Sequence, residues 1–131
     1  MIVVIDSSAA LELALGRAGN KKVAAVLKDA RLIAAPSLYL YEIANAMWKY
    51  YNFESLSMDV VKKTLTDCGS LVTEFIPASL LFQEACAIAC EIKHPVYDAA
   101  YLVACNQKKA VLLTLDQRLK KAARDLGIVC Y

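Results

Sequence analysis

Two aspartates follow short apolar runs, and their carboxylates are the first candidates for chemistry. Asp6 comes directly after the β-branched run 2–5, and Asp116 comes just after the run 111–114. Such runs are typical of strands buried on both faces of a parallel sheet. Ligands of open α/β sheets bind beyond the carboxyl ends of the strands, and both carboxylates are expected there. Each aspartate also has a purely structural interpretation, because Asp is a good N-cap for a following helix.

Two further acids lie in segments with a helical pattern. Glu42 belongs to segment 37–51, which is apolar almost all round, and it shares one helical stripe with Asn45 and Lys49. Such a helix is expected to be buried on more than one side, where a carboxylate must be paired or must hold a cation. The alternative is an ordinary surface stripe in which Glu42 pairs with Lys49. Asp98 lies in the first turn of a later helix, where the helix dipole alone would favour an acid.

The joint occurrence of the four acids is harder to explain by structure alone than any one of them. Carboxylates that converge without a basic residue between them repel each other strongly unless a cation binds. Ligands that are all oxygen select magnesium or manganese over zinc or copper. A magnesium site keeps several waters and accepts phosphate oxygens of a substrate. The pattern therefore predicts metal-assisted hydrolysis of a phosphodiester, with a bound water as the nucleophile.

Other catalytic chemistries lack the residues that they need. His94 is the only histidine and precedes a proline, whereas a metal-free ribonuclease usually needs a pair of acid–base groups. We interpret His94 as structural or incidental. Ser7 and Ser8 have no histidine nearby in the sequence, which disfavours a serine triad. The sequence contains no P-loop, no GxGxxG motif and no nucleophile elbow.

The segments between the acids predict alternating strands and helices. Strands are predicted at 2–5, 32–35, 71–76, 111–114 and 128–130, and helices at 8–15, 21–29, 37–51, 57–68, 79–93, 96–108 and 117–126. This alternation predicts an α/β fold with a short, mostly parallel sheet covered by helices on both faces. Such a sheet would bring its strand ends, and the aspartates that follow them, to one side of the molecule.

Several helix ends carry recognisable signals. Ser57 is predicted to cap the helix 57–68, with Gly69 just after its end, and Ser79 is predicted to cap the helix that follows. The dipeptide His94-Pro95 is predicted to break the chain between two helices, because the residue before a proline avoids the helical conformation.

Length and composition predict one folded domain over residues 1–131. Hydrophobic residues make up 59% of the chain and charged residues 21%, a composition that predicts a folded rather than a disordered chain. No apolar run approaches the roughly 18 residues of a membrane span, and no basic residue precedes the first apolar run, so we expect a soluble, cytoplasmic protein. The mean hydropathy of +0.43 indicates that a partner covers some apolar surface. A net charge of +2 is too small to indicate nucleic acid.

The five cysteines are odd in number and form no CxxC motif. They are expected to be reduced thiols in the core of a cytosolic protein, the alternatives being a disulfide or a zinc site. Cys86 and Cys90 are one helical turn apart and are expected to share a face.

The four acids stand in local motifs that resemble those of a known family. The motifs are an apolar strand into Asp6 with Ser8 two residues on, YEIANAM with Glu42 and Asn45, PVYDAAYLVA with Asp98, and LLTLDQRL with Thr114 and Asp116. In this order they resemble the motifs of the PIN-domain nucleases. The length and spacing more narrowly resemble the VapC-type toxins of bacterial and archaeal toxin–antitoxin pairs. No single motif is specific, but the ordered set covers essentially the whole chain.

The resemblance implies a PIN-like three-layer sandwich with a site for one or two Mg²⁺ or Mn²⁺ ions. The implied metal-binding and catalytic residues are Asp6, Glu42, Asp98 and Asp116. The hydroxyls of Ser8 and Thr114 would orient water or ligand carboxylates, and Asn45 would orient Glu42. The resemblance further implies endonucleolytic cleavage of RNA, a homodimer, and inhibition by a cognate antitoxin whose tail covers the site.

An aromatic segment and several basic residues are candidates for contact with a protein partner or with RNA. The segment 39–53, rich in Tyr and Trp, is interpreted as core and dimer contact, the alternative being a site for a partner peptide. Pairs of lysines recur along the chain, and each alone is best explained as a solvated helix face. Arg118 and Lys121, which lie close to Asp116 in the sequence, are the best candidates for contact with RNA phosphates.

Three functions from different classes follow. The first is a magnesium- or manganese-dependent endoribonuclease, the toxin of a toxin–antitoxin pair, with a housekeeping RNA-processing nuclease as a variant. The second is a non-catalytic PIN-like module that binds RNA or protein. The third is a phosphatase on a related α/β fold, which is disfavoured because Ser8 stands where an aspartyl-nucleophile phosphatase usually has a second Asp.

Overall fold

Four short parallel strands form the central sheet. The computed structural model describes residues 1–131. The strands are β1 (Ile2–Ile5), β2 (Leu32–Pro36), β3 (Glu74–Ile76) and β4 (Val111–Leu113). Their order in the sheet is β3-β2-β1-β4, and every pairing is parallel. The carboxyl ends of β1 and β4 are therefore neighbours, with Ile5 in register with Leu113.

Seven helices connect and flank the strands. They are α1 (Ser7–Ala14), α2 (Asn20–Lys28), α3 (Leu38–Phe53), α4 (Met58–Leu71), α5 (Phe82–Ile92), α6 (Val96–Lys108) and α7 (Gln117–Asp125). A single 3₁₀ turn, Ala78–Leu80, precedes α5. The predicted α/β sandwich with a parallel sheet is confirmed. None of these helices combines the length and the apolar composition that crossing a bilayer requires.

Strand β1 and helix α6 form the centre of the core. Val3, Val4 and Ile5 are fully buried because the sheet is covered on both faces. Helix α6 packs against β1 and β2, and its residues 99–105 are all buried. Asp6 and Asp98 lie at one end of each of these two buried elements, so well-packed backbone holds both acids in place.

Three details of the predicted elements are wrong. Gly69 lies inside α4, which continues to Leu71, whereas the predicted cap at Ser57 is confirmed by a hydrogen bond from the Val60 amide. Ser79 does not cap a helix, because it lies in the 3₁₀ turn and α5 begins only at residue 82. The predicted last strand is reduced to one bridge, between Leu112 and Cys130.

The expectation that α3 is buried on more than one side is wrong for the isolated chain. Helix α3 packs against α4 and α1, which cover one stripe made of Tyr39, Ile43 and Met47. The aromatic residues of its other faces project into solvent, with Trp48 at 55% exposure and Phe53 at 75%. No element of the same chain lies there to cover them.

All five cysteines are free thiols. Cys68 and Cys105 are buried in the core as predicted, and burial raises the pKa of the Cys68 thiol to about 11. The core location is wrong for Cys86 and Cys90, which are exposed because they lie on the outer face of α5.

Candidate active site

The parallel pairing of β1 with β4 brings Asp6 next to Thr114. Asp6 follows β1 and Thr114 follows β4, and the Asp6 amide donates a hydrogen bond to the Leu113 carbonyl at 3.1 Å. The Thr114 hydroxyl donates to Oδ2 of Asp6. Two residues that are 108 positions apart in the sequence are thus joined at the edge of the sheet.

Asp6 caps a helix and also belongs to the candidate active site. It caps α1 because its Oδ1 accepts a hydrogen bond from the Ala9 amide at 3.0 Å. The same oxygen accepts from the Ser8 hydroxyl at 2.7 Å. Asp6 is only 5% exposed, and these two donors compensate for its burial together with the Thr114 hydroxyl.

Thr114 and Ser8 link Asp6 to the chain around Asp116. The Asp116 amide donates to the Thr114 hydroxyl at 3.0 Å, and the Leu115 amide donates to the Ser8 hydroxyl at 2.9 Å. The two hydroxyls are themselves 3.3 Å apart. Both hydroxyls predicted to assist the site therefore hold the two strand-end aspartates in one hydrogen-bonded network.

Asp116 caps α7 with one carboxylate oxygen. Its Oδ1 accepts from the amides of Arg118 and Leu119 at 2.9 and 3.2 Å. Its Oδ2 makes no hydrogen bond, and the residue is exposed. One oxygen thus stabilises the fold while the other is available to a ligand.

Glu42 is held by a tyrosine from another helix. The hydroxyl of Tyr101, in α6, donates to Oε1 of Glu42 at 2.5 Å. Burial and the nearby Glu42 charge raise the pKa of Tyr101 well above its ordinary value, so the phenol keeps its proton and remains a donor. Neither Asn45 nor Lys49 makes a hydrogen bond or ion pair with Glu42.

Asp98 lies near the only histidine of the chain. Its Oδ2 is 3.8 Å from Nδ1 of His94, which is buried and makes no hydrogen bond. The helix break predicted at His94-Pro95 is confirmed, because α5 ends at residue 92 and α6 begins at residue 96. This break places Asp98 in the first turn of α6 with part of its side chain exposed.

Glu42 and Asp98 open into one cleft. The cleft has a volume of about 500 Å³ and lies between α3 and α6, and its lining is Leu38, Tyr41, Glu42, Asn45, Pro95, Tyr97 and Asp98. Asp6 and Asp116 are not among its lining residues. The four acids therefore lie in two pairs, one in the cleft and one joined through Thr114 at the edge of the sheet.

The two pairs are coupled by charge. Burial is the main cause that raises the pKa values of Asp6, Glu42 and Asp98. The Asp116 charge also raises the pKa of Asp6 and of Asp98, and the charges of Asp6 and Asp98 raise that of Glu42. His94 and Arg118 oppose this only at Asp98, whose pKa they lower. The region carries excess negative charge.

The fold and the ordered acids match one protein family. A sequence model of the PIN domain matches residues 3–125 of the chain. The chain belongs to the PIN domain family. The resemblance drawn from the four motifs is thereby confirmed at the level of the family.

This PIN domain is similar to several known proteins. Ribonuclease VapC3 from Pyrobaculum aerophilum is 28% identical over 125 residues, which cover 91% of this chain and 92% of that protein. The crystal structure of PAE2754 from the same organism has a TM-score of 0.77 and 24% identity, and the match covers 99% of this chain and 83% of that one. The structure of VapBC2 from Rickettsia felis, bound to a DNA fragment from their promoter, has a TM-score of 0.67 and 15% identity, covering 100% and 98%. At these identities the two structures show a shared fold.

The acidic residues of the PIN domain fit a hard divalent cation by their chemistry. No three of its His, Cys, Asp or Glu side chains lie close enough to form a ready-made metal site. Magnesium, however, is often held by one or two carboxylates, with waters and substrate phosphates completing its shell. The donors here are all oxygens, and none of the four acids forms an ion pair with a Lys or Arg.

The two basic candidates differ in their surroundings. Arg118 is close enough for its charge to lower the pKa of Asp98. Lys121 forms an exposed ion pair with Asp125, at 2.7 Å. Arg118 is thus the candidate whose charge acts on Asp98, while Lys121 is paired with Asp125.

Tyr101 is the residue at this site that sequence reasoning missed. Its contact with Glu42 spans 59 positions and joins two helices. In the sequence, Tyr101 is not distinguished from the apolar residues around it in α6. The available signal was its position one helical turn after Asp98, on the same face.

Proposed function

We propose that this PIN domain is an endoribonuclease that depends on Mg²⁺ or Mn²⁺, and that it is the toxin of a toxin–antitoxin pair. The observation that carries the proposal is the convergence of four carboxylates from different parts of the fold: Glu42 and Asp98 line one cleft, and Asp6 and Asp116 are joined through Thr114. Such a cluster is costly unless a cation joins it. The similarity to a protein named Ribonuclease VapC3 supports RNA as the substrate.

The four acids have distinct roles in this proposal. Asp6, Glu42, Asp98 and Asp116 are the proposed catalytic residues and would hold one or two ions between them, together with water and substrate oxygens. When bound, the ion supplies a water of lowered pKa and neutralises charge that develops on the phosphate. Ser8 and Thr114 keep the Asp6 carboxylate oriented, and Tyr101 does the same for Glu42. Asn45 lines the cleft, where its amide can contact substrate or water.

The partners in this proposal are RNA, an antitoxin protein and a second copy of the chain. Structures of toxin–antitoxin complexes from Rickettsia felis and Klebsiella pneumoniae share the fold, which supports an antitoxin partner. The exposed aromatic residues of α3 support contact with another protein chain. Arg118 and Lys121 are proposed to contact RNA phosphates beside the acids.

Substitution of single acids tests the nuclease proposal. Asp6→Asn and Asp98→Asn are each expected to lower the rate of RNA cleavage in Mg²⁺ or Mn²⁺ by roughly 100-fold or more, because charge stabilisation in the transition state is lost. The measurement is cleavage of a labelled RNA, with folding checked by circular dichroism. Asp125→Asn is the matched control, since Asp125 is exposed and pairs only with Lys121. Wild-type rates in either active-site variant would contradict the proposal.

A non-catalytic binding module is the second candidate. It is favoured by the lack of three acidic side chains within reach of a single ion. In that case RNA or a protein partner would bind tightly while added Mn²⁺ produced no cleavage. Cleavage by the wild type and its loss in Asp6→Asn would exclude this candidate.

A further inference from the structure

Two tyrosines stand beside the acids of the cleft. Tyr41 directly precedes Glu42 in α3, and Tyr97 directly precedes Asp98 in α6. Their side chains are highly exposed, at 83% and 69%. Neither hydroxyl makes a hydrogen bond, and neither ring pairs with another aromatic ring. Their exposure indicates that neither ring is needed for the core.

Both rings face the same space as the carboxylates. Tyr41 and Tyr97 line the cleft of about 500 Å³ together with Glu42 and Asp98. Tyr97 also borders a second, apolar pocket of about 200 Å³. A ligand bound at the acids would therefore be in reach of both rings.

The charge of the cleft limits how it can hold RNA. No Lys or Arg is among the cleft residues, while two carboxylates are. A phosphate backbone gains no electrostatic attraction from such a lining, although basic side chains usually supply most of the affinity for nucleic acid. Bases, unlike phosphates, are uncharged and stack on aromatic rings in a way that tolerates any sequence.

We infer that Tyr41 and Tyr97 stack on unpaired bases of the RNA on either side of the phosphate that is cleaved. The inference rests on the proposed nuclease function. A base can stack on a side chain only after it has left its own helix, which is why aromatic platforms recognise loops, bulges and ends. A base-paired duplex would leave both rings without a partner.

Binding and cleavage by tyrosine variants test this inference. Tyr41→Ala and Tyr97→Ala are each expected to raise the KM for a short unstructured RNA about tenfold, with little change in kcat, because stacking on flanking bases is lost. Tyr41→Phe and Tyr97→Phe should retain wild-type KM, since the ring is kept. Tyr131→Ala is the control, because this half-exposed tyrosine does not line the cleft.

An RNA that lacks single bases sharpens the test. Removing the base beside the cleaved bond should weaken binding to the Asp6→Asn protein, measured by fluorescence anisotropy. Combining that RNA with the matching Tyr→Ala variant should add nothing further, because the two changes remove the same contact. A duplex of the same sequence should bind weakly and resist cleavage.

The outcomes separate this inference from the nuclease proposal. Binding that depends on both tyrosines without any cleavage would support stacking and refute the nuclease. Cleavage that is indifferent to Tyr41→Ala and Tyr97→Ala would refute stacking alone. Loss of a protein partner in these variants, with RNA binding unchanged, would also refute it and assign the rings to a peptide.

Discussion

Thr114 lies between the two aspartates at the edge of the sheet. It donates a hydrogen bond to Asp6 and accepts one from the amide of Asp116. Its side chain is fully buried, so both contacts form away from water. The hydrogen bond from Thr114 lowers the pKa of Asp6 and partly offsets the effect of burial. A single hydroxyl thus favours the ionised form of one carboxylate and fixes the position of the next.

The raised pKa values make the unliganded acids a cost to the fold. Asp6 has an ordinary pKa of 3.8, and its pKa is raised in the folded chain. As the pH rises from below 3.8 through the raised value, the unfolded chain loses the proton first. The folded state is then destabilised relative to the unfolded state, and the cost is complete above the raised pKa.

Asp6→Asn is therefore expected to stabilise the metal-free protein at neutral pH. The neutral amide removes the buried charge, and the melting temperature should rise by about 3–6 °C, the shift that roughly 1 kcal/mol produces in a domain of this size. The gain should shrink as the pH falls toward 3.8, where the wild-type carboxyl is also neutral. Mg²⁺ should stabilise the wild type more than Asp6→Asn, because the variant lacks one of the carboxylates that are proposed to hold the ion.

Thermal unfolding in EDTA and in Mg²⁺, at acidic and neutral pH, measures both effects. Asp125→Asn serves as the control for the loss of an exposed carboxylate. A variant that is less stable than the wild type at neutral pH without metal would contradict the argument.

At the scale of the helices, α1 and α7 both begin on aspartates of the site. Asp6 caps α1 and Asp116 caps α7. The structural interpretation of each acid and the functional one are therefore compatible. The two interpretations do not exclude each other, because one carboxylate can cap a helix and also bind a ligand.

Two substitutions of Asp116 separate its two roles. Asp116→Ala should lower the free energy of unfolding by about 0.5–2 kcal/mol, because the N-cap of α7 is lost. Asp116→Asn should keep that stability, since Asn also caps helices well, yet it should lose cleavage as Ala does. Urea unfolding and the RNA cleavage rate are the two measurements. If Asp116→Asn cleaves RNA like the wild type, the carboxylate has only the capping role.

The order of the elements follows from local sequence, and their contacts do not. The apolar runs at β1 and β4 and the cap at Ser57 are local signals, and the structure agrees with them. Gly69 failed as a stop signal because a glycine inside a helix costs only about 1 kcal/mol, which tertiary packing can offset. The contact of Tyr101 with Glu42 depends on how two distant helices pack, whereas the local pattern shows only that Tyr101 lies on the same helix face as Asp98.

At the scale of the molecule, the aromatic residues of α3 form an uncovered surface. Trp48 and Phe53 contact each other edge to face, with ring centroids 5.7 Å apart, and both are exposed. The sequence shows that α3 is apolar on most of its faces. It does not show whether these faces are covered by the same chain or by a partner, because both produce the same apolar pattern. The high mean hydropathy of the chain agrees with this uncovered surface.

The proposed homodimer is expected to use this surface. Phe53→Glu should convert a dimer into a monomer, because a charge buried at an apolar interface costs more than the contact gains. The melting temperature of the monomer should then lose its dependence on protein concentration. Sedimentation equilibrium gives the mass. Val129→Glu is the control at the β4 side of the sheet, where Val129 is also exposed, and it should remain dimeric.

Helix α6 sets the spacing of the cleft from inside the core. It carries Asp98 in its first turn and, one turn later, the tyrosine that holds Glu42, while residues 99–105 are enclosed by the sheet and by α5. Close-packed interiors yield little to strain and pass a displacement on to their neighbours. A change of side-chain volume deep under the sheet would consequently move both carboxylates relative to each other, so catalytic alignment can be lost by residues that never meet the substrate.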